Sequence, residues 1–149
     1  MTTMDTVKRK CAICGNKMDV AVLMSSSSFG PCDLDTRPAP LMRYTLGASI
    51  NYCPKCGYGA RNIEKAKEGV KEIVASQEYQ YFIHSFGESE TLFGYLGDYY
   101  INKELNNKRA AFFSILDACW VLDDMHSPKA IDARILAYNL LEENESKVY

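Results

Sequence analysis

Four of the six cysteines in this 149-residue chain fall into two pairs of identical spacing, Cys11-x-x-Cys14 and Cys53-x-x-Cys56. Each pair runs directly into a glycine, as C-A-I-C-G and C-P-K-C-G. Two intervening residues let both sulfurs of a pair reach one tetrahedral ion at about 2.3 Å, and the glycine lets the backbone turn tightly behind them. Together the pairs make a four-cysteine donor set. Soft thiolates in a tetrahedron favour zinc, with iron as the alternative. The spacing therefore predicts one structural zinc ion on Cys11, Cys14, Cys53 and Cys56. Four thiolates close the coordination sphere, so such a site contributes folding free energy and leaves no open position for activating water. The competing reading is one redox dithiol and one accidental pair. It lacks the strand–helix–strand setting of a thioredoxin-like motif.

The other reactive side chains read more plainly. Cys119 stands beside Trp120 on the apolar face of a predicted helix and is expected in the core, as a small hydrophobe. Cys32 lies in a loop and reads as an ordinary loop residue, with a fifth ligand or a reactive thiol as the sharper alternatives. His84 and His126 fall at predicted helix ends, and neither has a second ligand at metal-binding spacing. Ser25–Ser28 reads as a flexible turn, because no histidine lies near it to serve as a general base. Between the two cysteine pairs, Asp33-Leu34-Asp35-Thr36-Arg37-Pro38 is the densest polar stretch. Extended backbone would place Asp33, Asp35 and Arg37 on one side, as a site for a ligand or a partner peptide. The plainer and preferred reading is a loop closing over the cysteine lobe, with Arg37 bonding a nearby carboxylate or carbonyl.

These residues need elements to hold them. Residues 1–10 are polar and read as frayed. Met18–Ser25 alternates as a half-buried strand, with Val20, Val22 and Met24 on one side. Arg43–Tyr52 reads as a second strand leading into the second cysteine pair, and the two strands form the ribbon between the pairs. After Asn62 the pattern becomes helical. Ile63–Ser76 carries Ile63, Ala66, Val70, Ile73 and Val74 at helical spacing, with Asn62 able to cap it. Further helices are expected over Glu78–Phe86, Ser89 to Leu105, Lys108–Asp124 and from Ser127-Pro128 to Glu143. The last is expected to bury Ile131, Ile135, Tyr138 and Leu141. The fold class is α+β: a small β-rich zinc-ribbon lobe over residues 1–62, then a bundle of about five helices over 63–149. Within the bundle, Phe93-x-x-Leu96-Gly97-x-x-Tyr100 and Ala111-x-x-x-Ile115-x-x-Ala118 fit the two helices of a tetratricopeptide repeat, two residues out of register with a 34-residue unit. Gly94 and Gly97 predict close approach of another helix, because glycine in a helix interior costs up to about 1 kcal/mol. Tyr79, Tyr81, Tyr95, Tyr99 and Tyr100 suggest a partly exposed, tyrosine-rich surface.

Several of these stretches together resemble a group of prokaryotic proteins in which a zinc-ribbon domain of unassigned role precedes tetratricopeptide-like helices. The resemblance rests on C-A-I-C-G, on S-S-F-G-P-C-D-L-D-T-R-P with M-R-Y-T after it, on C-P-K-C-G-Y-G-A and on A-C-W-V-L-D-D. It spans residues 11 to about 143. It implies the same fold and the same four metal ligands. It also gives Asp33, Asp35 and Arg37 more weight than spacing alone, and it argues against Cys32 as a ligand.

Charge and composition narrow the function classes. Residues 1–62 carry a formal +4 and residues 63–149 a formal −6, for a net charge of −2. A Zn²⁺ held by four thiolates adds −2 to the first segment, which leaves too weak a basic face to argue for nucleic acid. The basic set that such binding would use is Lys8, Arg9, Lys10, Lys17, Arg37, Arg43, Lys55 and Arg61. No apolar run approaches the roughly 18 residues of a membrane span. The N-terminus lacks the apolar segment of a signal peptide, and a cytoplasmic location follows as the expectation. The favoured reading is a non-enzymatic zinc protein with a protein partner, self-association included. The alternatives are nucleic-acid binding by the ribbon, and an enzyme or small-ligand binder built on Asp33, Asp35 and Arg37.

Overall fold

A computed structural model describes residues 2–145; Met1 and residues 146–149, the outermost positions of the two expected segments, lie outside the described residues. Thr3–Lys10 (β1) and Lys17–Ser25 (β2) pair antiparallel, with Lys10 opposite Lys17 and Thr6 opposite Ala21. Residues 3–10 are thus a strand and not a frayed end. Their side chains are polar because both faces of β1 are largely exposed. In β2 the alternation holds through Val20, which is buried, while Met24 is exposed. Asn51–Tyr52 (β3) pairs antiparallel with Gly59–Ala60 (β4). The ribbon is therefore two separate hairpins, and β2 does not pair with the segment before the second cysteine pair.

Most of the strand expected over Arg43–Tyr52 is instead a pair of short 3-10 turns, Met42–Tyr44 and Leu46–Ala48. Hydroxyls explain the difference. Thr45 Oγ1 donates to the Met42 carbonyl (2.7 Å) and Ser49 Oγ to the Thr45 carbonyl (3.3 Å), local bonds that compete with a sheet ladder.

Five α-helices follow among the described residues: α1 (Val70–Ala75), α2 (Gln77–Ile83), α3 (Glu90–Glu104), α4 (Lys108–Asp124) and α5 (Ala130–Glu145). The helix expected from Ile63 begins only at Val70. Asn62 Oδ1 takes the Glu64 N–H (3.1 Å) and Asn51 Oδ1 takes the Ile63 N–H (3.2 Å), which holds this stretch as a turn against β3. Ile63 is nevertheless fully buried. Ser76, Ser89 and Asn107 each accept a backbone N–H at the start of α2, α3 and α4, so the caps mark these boundaries.

The last helix has turned one residue from expectation. Ala130, Ala133, Ala137 and Leu140 are buried, whereas Ile131, Ile135, Tyr138 and Leu141 stand outward. Both rows have helical spacing. The alanine row permits the closer approach to α4, and pattern alone favours the larger side chains. The tyrosines also sort differently from expectation: Tyr79, Tyr95 and Tyr99 are buried and Tyr100 is half-buried, which leaves Tyr81 alone of the five exposed.

The hairpin β3–β4 lies across α3, and glycine makes that possible. A Cβ on Gly59 would sit 2.5 Å from the Gly94 carbonyl oxygen, and one on Gly94 would sit 2.8 Å from Ile50 Cγ1. Gly97 is shielded by Gly59 and by the hydroxyl of Tyr79 from α2. The neighbour that Gly94 and Gly97 make room for is thus mainly a strand. One apolar core runs from Cys11, Ile50, Cys53 and Tyr58 through Ile63 and Tyr79 to Leu96, Ile115 and Leu140. Among the described residues no helix is long and apolar enough to cross a membrane.

Candidate metal centre

Each cysteine pair is the turn of one hairpin, and the two turns repeat the same backbone pattern. In the first, Cys11 N–H donates to the Asn16 carbonyl (2.8 Å) and Gly15 N–H to the Cys11 carbonyl (2.9 Å). In the second, Cys53 N–H donates to the Tyr58 carbonyl (2.9 Å) and Gly57 N–H to the Cys53 carbonyl (2.8 Å). Gly15 and Gly57 have φ of 76° and 87°, a conformation open to glycine at no steric cost. Two equivalent knuckles thus present two sulfurs each from opposite sides.

The four sulfurs all lie within 4.8 Å of one another. Cys11 Sγ is 3.6 Å from Cys56 Sγ, and Cys14 Sγ is 3.5 Å from Cys53 Sγ. A tetrahedron with metal–sulfur bonds of about 2.3 Å has edges of about 3.8 Å, so the cluster has the size such an ion requires. Cys11 and Cys53 are buried, while Cys14 and Cys56 are half-buried. Asn16 Nδ2 points a further donor at Cys53 Sγ (3.7 Å). Burial pushes the Cys11 and Cys56 thiols above their ordinary range, and Cys11 raises Cys56 further. Burial also opposes ionisation of Cys53, but the backbone N–H groups of Cys56 and Lys55 and the neighbouring thiols outweigh it and bring Cys53 down to about 7. The Cys53 thiolate forms readily, while Cys11 and Cys56 resist. A cation at the centre is what allows all four to ionise together. The four cysteines can therefore hold a metal ion.

Surrounding contacts fix the first knuckle to the turn at Ile63 and the second to α2. Ala12 N–H donates to the Ile63 carbonyl (2.9 Å). Gln80 of α2 donates from Nε2 to the carbonyls of Cys56 (2.9 Å) and Val74 (2.8 Å). The buried Tyr79 hydroxyl donates to the Gly57 carbonyl (2.6 Å) and accepts from Gly59 N–H (3.2 Å).

Neither remaining cysteine belongs to the cluster. Cys32 is exposed, and Cys119 is buried with its thiol pushed up to about 12 by burial. His84 and His126 are exposed, and neither is near the sulfurs as a ligand among the described residues.

Asp33, Asp35 and Arg37 do not share one side of an extended strand. Thr36 N–H donates to the Asp33 carbonyl (2.9 Å) and Asp33 N–H to the Arg37 carbonyl (2.9 Å), closing a turn with Thr36 at φ 72°. The three side chains then part. Arg37 is buried and forms a two-pronged pair with Asp124 at the end of α4 (2.9 and 2.7 Å), with a further bond to the Arg43 carbonyl (3.2 Å). Asp35 accepts from Trp120 Nε1 (2.8 Å) and from Arg134 (3.4 Å). Burial alone would raise the Asp35 carboxyl, but these donors hold it below the usual range. Asp33 pairs with Arg43 (2.5 Å). Arg37 bonds a carboxylate and a carbonyl, as the plainer expectation has it, but the segment closes as a clamp on α4 and α5 and not over the cysteine lobe.

One polar cluster has no counterpart in the spacing of motifs. Asp98 of α3 is buried, accepts from the Ser114 hydroxyl of α4, and lines a cavity of about 730 Å³ beside the first knuckle. Nearby, Arg61 bonds Asp117 (2.6 Å) and Ser114 (3.3 Å). The available signal was a lone carboxylate inside the otherwise apolar run L-F-G-Y-L-G-D-Y-Y-I. Burial raises the Asp98 carboxyl, against the Ser114 bond and the charge of Arg61. A raised folded-state value means that the fold favours the protonated form. The stability this contributes is present at low pH and lost as pH rises through the folded value. Asp98→Asn, which keeps an acceptor for Ser114, is therefore expected to raise the melting temperature at pH 7.5. The gain should shrink towards zero near pH 4. A variant equally stabilised at both pH values would contradict this origin.

No family model, no curated protein and no solved structure matches this chain.

Proposed function

We propose that this chain is a non-catalytic, cytoplasmic zinc-binding protein whose four-cysteine site holds two knuckles in place and whose last helix docks a protein partner. Zinc rather than iron is supported by the softness and closure of the donor set. The docking reading is carried by the outer face of α5. Ile131, Ile135, Tyr138 and Leu141 recur about one turn apart and are 67%, 52%, 59% and 45% exposed. Tyr138 and Leu141 also line an apolar groove of about 560 Å³, bordered by Phe113 of α4 and the fully exposed Leu34. A contiguous apolar patch of this kind marks an interaction surface, and a row at this spacing suits an apolar helix laid alongside it. A second copy of the same face is one such partner. The tetratricopeptide-like reading of α3 and α4 belongs to this proposal, supported by two antiparallel neighbours of 15 and 17 residues.

Nucleic acid is the weaker occupant. Of the eight basic residues in the first segment, Lys8, Arg9, Arg37, Arg43 and Arg61 direct their charge at Asp19, Glu64, Asp124, Asp33 and Asp117.

Ile135→Glu tests the docking face. The wild-type chain should either sediment as a dimer or retain one defined protein at fixed stoichiometry. The variant should weaken that association about tenfold or more, with zinc content and far-ultraviolet circular dichroism unchanged. A wild-type chain that stays monomeric at high micromolar concentration and retains nothing would sink the proposal, as would an association indifferent to Ile135→Glu.

A further inference from the structure

The charged side chains that line the cavity of about 730 Å³ beside the first knuckle are Arg61, Glu64, Lys65, Lys67 and Asp98. Two of them are committed elsewhere in the protein: Arg61 pairs with Asp117 (2.6 Å) and Glu64 with Arg9 (2.8 Å). Lys65, Lys67 and Asp98 form no salt bridge among the described residues. The two lysines are exposed, at the rim, whereas Asp98 is 8% exposed and is the one buried acidic residue among those described. Its Oδ2 accepts from Ser114. Asn102 stands nearby, but its Nδ2 is directed to the Asp98 main-chain carbonyl (2.8 Å). Oδ1 accepts no hydrogen bond from a described residue, yet it is not sealed from solvent, because the sealed side-chain atoms without a partner are Arg37 Nε and Arg43 Nε. Oδ1 is therefore open towards the cavity that Asp98 lines. A carboxylate in such surroundings is costly until a cation meets it, and groups that break the rules of core packing in this way gather at functional sites.

We propose that this cavity binds a small zwitterion, a primary amine that also bears an acidic group, with its ammonium on Asp98 and its acid at Lys65 and Lys67. An ammonium donates up to three hydrogen bonds and neutralises the carboxylate, and a bond between two charged groups is the strong kind. The lysines at the rim repel a plain amine and attract one that carries its own anion. Between the two ends the lining is apolar, from Ala60, Ala66, Ile101 and Leu105, which suits a short hydrocarbon spacer. The volume of about 730 Å³ lies within the roughly 300–1,000 Å³ of small-molecule pockets. The site is independent of the α5 face and uses none of the four cysteines.

The zinc-loaded, full-length chain is titrated with γ-aminobutyrate and ε-aminocaproate, and at matched ionic strength with hexylamine and caproate, which carry one charged end each. Amide chemical shifts of Asp98 and Asn102 report on the cavity. Saturable shifts with an amino acid, at lower concentration than with hexylamine or caproate, support the site. Asp98→Asn should weaken that amino acid about tenfold or more. Lys65→Gln with Lys67→Gln should weaken it as well and leave hexylamine no weaker. Should Asp98→Asn fail to fold by zinc content and circular dichroism, the lysine variant, altered at exposed positions, and the wild-type titrations decide alone. The absence of saturable shifts with either amino acid overturns the proposal. So does caproate or hexylamine binding as tightly as the amino acids, and so does binding that Asp98→Asn or the lysine variant leaves untouched.

Discussion

Cys53→Ser, or removal of the metal with a strong chelator at neutral pH, is expected to abolish the cooperative fold of the knuckles and lower the melting temperature by about 20–40 °C. The magnitude follows from two scales. Structural zinc in small sites contributes about 10–16 kcal/mol, as much as the entire stability of an ordinary domain, about 5–15 kcal/mol. In a chain of this length each kcal/mol moves the midpoint by about 2–4 °C. The hairpins themselves are short or exposed. β3 and β4 are two residues each, and β1 is largely exposed. The loss should spread into α3, because the crossing of Gly59 over Gly94 leaves the helix surface there covered only by the second hairpin and its neighbours. Metal content by elemental mass spectrometry should be close to one zinc per chain for the wild type and for Cys32→Ser, and close to none for Cys53→Ser. A chelated protein that melts within a few degrees of the untreated one would show that the four sulfurs do not hold a stabilising ion.

The second large effect is expected where the loop meets the helices. Asp124→Ala leaves the Arg37 guanidinium buried without its two-pronged partner. Breaking a buried pair from one side costs about 3–5 kcal/mol. Because the Asp124 side chain is 50% exposed, water offsets part of that loss, and a value of about 2–3 kcal/mol is expected. The double variant Arg37→Met with Asp124→Ala should cost clearly less than the two single losses added together, since it removes the charge along with its partner. Urea unfolding of the four proteins measures this directly. Additive losses would mean that the pair does not act as a unit.

How far the fold was legible depended on which signals were local. The knuckles could be read from spacing, because C-x-x-C-G encodes its own turn and the chemistry of its sulfurs. α4 could be read to the residue, because Asn107 caps one end and the apolar face is unbroken. The failures came where two patterns fitted one stretch. Polar β1 looked frayed because its partner, β2, satisfies its backbone while water satisfies its side chains. Thr45 and Ser49 drew an apparent strand into turns. In α5, a row of alanines and a row of larger residues shared the same period, and only the distance to α4 separates them. The meeting of Arg37, Arg43 and Arg61 around one cavity was out of reach for a different reason. Its three guanidinium groups come from a loop, a turn and the end of a hairpin, and no spacing in the chain places Arg37 beside Trp120.

The clamp also imposes an order of events on a growing chain. Both knuckles are complete once residue 58 has been made, so the metal can be captured early, on hairpins closed by contacts within the first segment. The clamp has to wait. Arg37 meets a partner 87 residues later in Asp124, and Asp35 one 99 residues later in Arg134. Contacts of such separation form slowly, after closure of a long loop. Through synthesis, then, the two hairpins hold an open, arginine-bearing loop, which is sealed only when α4 and α5 arrive.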